Sequence, residues 1–168
     1  MEQRIEFTKV SPGAIQAMQG LGRYLESSSL DARLMDLVKL RASLINGCAY
    51  CIDMHWKDAR QAGESEQRLY GLGAWKEAPY YSARERAALA WTDEVTRVGD
   101  GHVPDEAFRE ARKQFSEAEL VDLTLCVVTI NGWNRLCIAF RAPAGTYQPP
   151  PRREQRTASP PRRAQASH

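Results

Sequence analysis

The segment Asp36–His55, DLVKLRASLINGCAYCIDMH, limits the fold of this chain more than any other stretch. Leu34, Leu37, Val38 and Ile45 recur at helical intervals, predicting a helix over about 31 to 45. Asn46-Gly47 then supplies a helix-ending pair, because glycine accepts the left-handed backbone that closes a helix. A second helix is expected from Cys48, ending before Gly63 with Lys57 and Arg60 in its last turns. At about 100° per residue, Cys48, Cys51 and His55 share an arc of roughly 60° on it. Asp36 lies roughly 18 Å before Cys48 on one straight helix. It joins the two thiols and the imidazole only if the chain folds back at Asn46-Gly47.

Those residue types at that spacing suit thiol chemistry. The thiolate is the reactive form, and an unperturbed thiol is only about 3% ionised at pH 7. A pKa lower by about two units would raise that to roughly three-quarters. The free N–H groups of a first helical turn favour the anion, and both cysteines fall there. His55, four residues after Cys51, is within reach to accept a proton or to stand as imidazolium beside a thiolate. A sulfenic acid formed by peroxide on one cysteine condenses with the other to a disulfide before it oxidises further. Two other readings compete. The cysteines could be inert core fillers, although that leaves the histidine on the same face unexplained. They could be zinc ligands with His55, but structural zinc takes four ligands and Cys126, Cys137 and His102 are too scattered to complete a motif.

The remaining chain predicts an all-α domain without strand-period alternation or a glycine-rich phosphate loop. No cofactor and no metal are expected. Ser11-Pro12 opens a helix toward Leu25, and the cluster Ser27-Ser28-Ser29 ends it and offers a cap to the next. Lys39 and Arg41 are placed on the wetter sides of the helix they occupy. Ser65 caps a short helix, while Ser82 with Glu85 and Ser116 with Glu119 have capping-box form. The helix from about Glu117 to Ile130 or beyond carries Leu120, Leu123, Val127 and Ile130 and is expected to be the most buried. Trp91, Cys126 and Cys137 read as core residues. Ile130-Asn131-Gly132 echoes Ile45-Asn46-Gly47 as a second helix ending.

Charge divides the chain. Of the formal +2, residues 142–168 hold +4 from five arginines against Glu154, leaving −2 for 1–141. An acidic folded part argues against nucleic-acid binding. Residues 143–168 hold six of the nine prolines and almost no aliphatic side chains, so 142–168 is expected to be a disordered tail after a domain over 1–141. The N-terminus has no signal-peptide pattern and no apolar run approaches the roughly 20 residues of a membrane span, so a cytoplasmic, reducing setting is expected. A cysteine pair there is more often catalytic than structural.

KLRASLINGCAYCIDMH resembles the signature of the carboxymuconolactone decarboxylase family, in its alkyl hydroperoxidase D-like (AhpD-like) branch. HVPDEAF and NGWNRLCIAFR also resemble members, and the likeness covers roughly residues 30 to 141. The resemblance implies an AhpD-like bundle of about six or seven helices, assembled as a homo-oligomer and reducing hydroperoxides with its cysteine pair. It implies Cys51 as the thiol that attacks peroxide, Cys48 as the resolving thiol and His55 as the base. It also implies a lipoyl-type or other thiol donor as reductant. Asp36 stands where the best-studied pattern has glutamate, and Tyr50 where it has a histidine between the cysteines. A phenol with pKa near 10 carries protons less well at neutral pH than imidazole. The rival functions are a general dithiol–disulfide oxidoreductase and a non-catalytic helical oligomer that binds a ligand. The lactone reaction of the family's decarboxylase uses no cysteine pair and ranks below these.

Overall fold

The computed structural model describes residues 2–150. Among them the regular structure is helical, with no strand: α1 Phe7–Val10, α2 Pro12–Glu26, α3 Ala32–Asn46, α4 Ala49–Gln61, α5 Glu66–Gly71, α6 Ala83–Thr96, α7 Asp105–Arg112 and α8 Glu117–Phe140. The count passes the expected seven because Phe7–Val10 forms a separate turn ahead of Pro12.

Local signals account for most of the boundaries. Both capping boxes form: Glu85 N donates to Ser82 Oγ at 3.2 Å, and Ser82 N donates to Glu85 Oε2 at 2.7 Å. Ser116 and Glu119 repeat this at 3.2 and 2.8 Å. Ser65 Oγ accepts from Arg68 N. The serine cluster, by contrast, does not cap α3. Ser27 and Ser28 sit on the closing turn of α2, and their hydroxyls donate back to Tyr24 O and Leu25 O, both at 2.7 Å, beside their own backbone N–H groups. Asp31 caps α3 instead, accepting from Arg33 N at 3.1 Å.

Helix α8 is the spine, packing against α2, α3 and α6. Leu120, Leu123 and Val127 meet Leu34, Val38 and Trp91 in the main core, and the Trp91 indole N–H donates to Thr124 Oγ1 at 2.9 Å. By length and composition α8 could cross a membrane, unlike any run anticipated from the sequence. Only part of its surface packs against its helical neighbours, and Val121, Val128 and Ile138 stay exposed. It also continues through Asn131-Gly132, where an ending was expected. Gly47 takes the left-handed conformation at φ 66°, whereas Gly132 remains helical. Its lack of a side chain serves packing, since a Cβ there would lie 2.8 Å from Met18 Cε of α2.

Two basic residues expected on wet sides of α3 face inward. Arg41 is buried and grips Asp93 of α6 with two bonds, Nε to Oδ1 at 2.6 Å and Nη2 to Oδ2 at 3.0 Å. Its Nη1 donates to the Leu72 and Gly73 carbonyls, and Trp75 Nε1 donates to Asp93 Oδ2. The guanidinium can be buried because its donors find fixed acceptors. Lys39 is half-buried.

The stretch from Ala142, expected to belong to a disordered tail, lies along α4 as far as Pro150. Gly145 N donates to Asp53 Oδ2 at 3.2 Å, Lys57 Nζ to Tyr147 O at 2.9 Å, and Tyr147 OH to Asp58 Oδ1 at 2.7 Å. Tyr147 supplies the aromatic anchor that a count of prolines and arginines overlooks. Residues 151–168, the rest of the expected tail, fall outside the described residues.

Candidate active site

The site begins where α3 turns into α4. Gly47 N–H closes α3 onto the Leu44 and Ser43 carbonyls, and Cys48 N donates to Ser43 O at 3.1 Å. This turn is fastened to α8. Asn46 Nδ2 donates to Asn131 Oδ1 at 3.0 Å and to Asn134 Oδ1 at 2.8 Å, while Asn134 Nδ2 donates to Ser43 Oγ at 3.1 Å. Asn134 is fully buried, and its bond to Ser43 is shielded from water. The two Ile-Asn-Gly segments are thus opposite halves of one clasp.

Cys48 is the N-cap of α4, its Sγ accepting from Cys51 N at 3.4 Å. The two cysteines are joined as a disulfide with Cα atoms 5.3 Å apart, inside the ordinary span of such a bridge. A third cysteine belongs to the same cluster. Cys137 of α8 brings its Sγ within 4.8 Å of both others, and all three are buried. The place of Cys137 in the core is as the sequence predicts, and its meeting with the cysteine pair is not. The available signal was its spacing of three from Asn134, which puts both on the face that clasps the cysteine turn. Three sulfurs in this range are the donors a soft metal ion would use. With two tied in a disulfide, Cys137 alone of the three keeps a free thiol.

A cavity of about 590 Å³ opens beside the sulfurs. Cys51, Cys137, His55, Lys39 and Tyr50 line it, and Cys48 does not. Apolar side chains of α2 and α8, including Ile15, Ile130 and Trp133, form much of its wall. His55 is 9% exposed. Burial, with help from the Lys39 ammonium, pushes its pKa from 6.5 down to about 3, so the imidazole is neutral at pH 7. In the disulfide form no thiolate stands beside it, so nothing holds it as an imidazolium. Burial raises the Tyr50 phenol above its ordinary value and pushes the Cys137 thiol up to about 11.

Asp36 does not reach His55 by a hydrogen bond. Its carboxylate sits 3.5 Å from Lys39 Nζ, one turn along α3, and burial raises its pKa despite that ammonium. Asp36 therefore bears on the cavity through Lys39, a residue that sequence reading left among the surface charges. His102 is exposed, in a left-handed loop position remote from the cavity lining.

The chain is a helical bundle with a cysteine bridge beside a cavity, and comparison with known proteins places it further. The family model described as "CMD: Carboxymuconolactone decarboxylase family" matches residues 12–94. The uncharacterized protein YdfG of Bacillus subtilis (strain 168) is 42% identical over 140 residues, covering 83% of this chain and 95% of that protein. A crystal structure of the Agrobacterium tumefaciens protein ATU0492, of unknown function and provisionally assigned to AhpD antioxidant defence, superposes with a TM-score of 0.84 at 43% identity. It covers 87% of this chain and all of the other. The debrominase Bmp8 shares the fold, with a TM-score of 0.73 at 20% identity over 81% of this chain and 73% of its own. The chain belongs to the carboxymuconolactone decarboxylase family, in its AhpD-like branch.

Proposed function

We propose that this protein is a thiol peroxidase that reduces alkyl hydroperoxides or hydrogen peroxide through the Cys48–Cys51 couple. The observation that carries the proposal is the placement of Cys51, bonded to Cys48, on the wall of an apolar-walled cavity shared with a neutral His55. Cys51 lines the cavity and Cys48 does not. Access and chemistry then divide the labour. Cys51, one turn from His55, passes its proton to the imidazole, whose affinity for it rises once a thiolate stands beside it, and attacks the peroxide oxygen. The O–O bond breaks, the distal oxygen leaves as alkoxide or hydroxide and takes a proton, and Cys51 becomes a sulfenic acid. Cys48 then attacks that sulfur, water leaves, and the disulfide forms.

The backbone N–H of Cys51, aimed at Cys48 Sγ, serves the return half-cycle. A dithiol entering by the cavity attacks Cys51, and Cys48 departs as a thiolate already held by a hydrogen bond at a helix N-terminus. A lipoyl-type or other thiol donor fits this role, and a cytoplasmic setting would sustain it. Asp36 acts on the proton transfer through Lys39 rather than directly. We assign the functional unit as a homo-oligomer, since Tyr24, Val121, Val128 and Ile138 are each close to half exposed or more. Light scattering giving only the monomer mass would remove that assignment.

Stopped-flow mixing of the reduced protein with one equivalent of hydrogen peroxide or cumene hydroperoxide tests the reading. Rapid loss of two thiols, together with appearance of the Cys48–Cys51 bridge, is expected. A rate no faster than that of a free thiol, with brisk exchange against added disulfides, would leave a dithiol–disulfide oxidoreductase instead. No redox change at either thiol would leave the ligand-binding reading.

A further inference from the structure

The cysteine pair has a neighbour that its own chemistry does not require. Cys137 projects from α8, 86 residues after Cys51 (137 − 51), yet its Sγ lies within 4.8 Å of both bridged sulfurs. It shares the cavity wall with Cys51, whereas Cys48 does not reach that wall. The position is held by more than packing. Asn134, one turn before Cys137, is locked to Asn46 and Ser43 beside the cysteine turn, which fixes α8 against α4 at this level.

We propose that Cys137 is a second resolving thiol, which takes Cys51 into a disulfide across α4 and α8 when Cys48 is not free to do so. The proposal rests on the peroxidase reading for the sulfenic intermediate, but the thiol exchange within it stands apart from that reading. In the first step Cys51–SOH and Cys137–SH condense to Cys51–S–S–Cys137 and water. The sulfenic S–O bond breaks, an S–S bond forms, and the Cys137 proton leaves with the hydroxyl. The sulfenic sulfur is reduced and the Cys137 sulfur oxidised by equal amounts. In the second step a free Cys48 thiolate attacks Cys51, the α4–α8 bridge breaks, and Cys137 departs and recovers a proton. That yields the Cys48–Cys51 bridge present in the structure. Cys137 itself is poorly suited to open the reaction, because burial keeps it protonated at neutral pH. Its use is to intercept a sulfenic acid before a second peroxide carries it to the irreversible sulfinic state.

The test uses Cys48→Ser, in which the serine oxygen still caps α4, beside Cys48→Ser/Cys137→Ser. Each reduced protein receives one equivalent of hydrogen peroxide with the sulfenic trap dimedone, or, separately, the disulfide DTNB. Tryptic cleavage after Arg41, Lys57, Arg135 and Arg141 puts Cys51 on residues 42–57 and Cys137 on the hexapeptide LCIAFR, away from Cys126. The expected result is the 42–57/LCIAFR cross-link in Cys48→Ser with both reagents. Dimedone labelling of Cys51 should rise at least about tenfold in the double variant, since a thiol held in place outcompetes one from solution. A Cys51 that keeps dimedone or thionitrobenzoate equally in both variants, with LCIAFR free, overturns the proposal. The cross-link with DTNB but no reaction with peroxide supports the Cys137 assignment and overturns the peroxidase reading.

Discussion

Between about pH 7 and pH 4.5, acid should destabilise this protein through one buried imidazole. His55 is 9% exposed and its pKa is pushed down from 6.5 to about 3. Between those values the unfolded chain binds a proton at residue 55 that the folded chain refuses, so acidification favours unfolding. The stability conferred by a neutral His55 is complete above about pH 6.5 and is lost as pH falls toward about 3. Each pH unit in that window costs about 1.4 kcal/mol. From about pH 7 to pH 4.5 the loss comes to about 2.5 kcal/mol, and any folded pKa below about 4 gives nearly the same figure. His55→Gln keeps a neutral polar side chain of similar size and removes the titration. Urea unfolding of the oxidised proteins, followed by far-UV circular dichroism at both pH values, isolates the effect. The carboxylates common to both proteins cancel in the difference. The wild type should lose about 2.5 kcal/mol more than His55→Gln over this range. Losses equal within about 0.5 kcal/mol would show that residue 55 is not held neutral by burial.

Further outcomes follow from the neighbouring contacts. Asp93→Asn strands the buried Arg41 guanidinium and should cost about 3–5 kcal/mol in chemical denaturation, whereas Arg41→Met/Asp93→Leu together should cost much less. Lys39→Met and Asp36→Asn should move the reactivity of the reduced Cys51 thiol toward iodoacetamide at pH 7 in opposite directions, by up to about tenfold. The first removes a cation from the cavity wall and slows alkylation, while the second frees that cation from its carboxylate and speeds it; a fall in both would break the Asp36–Lys39 link. Tyr147→Phe removes the hydroxyl bond to Asp58 and should lower Tm by about 2–4 °C. Ending the chain at Arg141 should lower it further, and an unchanged Tm in both would mean that residues 142–150 contribute nothing to α4.

Helix identity and most helix starts were legible because they depend on neighbours within a turn. Ser65, Ser82 and Ser116 cap the helices their spacing announces, and Gly47 makes the reversal its position calls for. Misreadings arose where a distant partner decides. Asn131-Gly132 looks locally like Asn46-Gly47, but Met18 from α2 fills the space beside Gly132 and the helix runs on. Arg41 carries a surface residue's charge, and only Asp93, 52 positions away, makes its burial possible. At the site, Cys48, Cys51 and His55 lie on one helix and were visible together. Lys39 and Cys137 enter the cavity from α3 and α8, and no local spacing reveals that meeting. The nine residues from Ala142 to Pro150 escaped for the opposite reason. Their composition suggests no core, but they need none, because α4 offers Asp53, Lys57 and Asp58 as polar anchors.

The cavity draws its wall from positions as early as Gln3 and Phe7 and as late as Ala142 and Pro143. On the ribosome, chain elongates at about 5–20 residues per second, so the 86 positions separating Cys51 from Cys137 take roughly 4–17 s to make. During that interval α3 and α4 exist without the helix that buries them. A nascent chain at this stage presents Cys48 and Cys51 before Asn134 can fasten their turn or α8 can exclude water. The cavity around His55 and Cys137 is likewise incomplete until α8 supplies its part of the wall. The cavity of the site is therefore completed only after α8 is made, and until then the pair is guarded by the redox state of its surroundings.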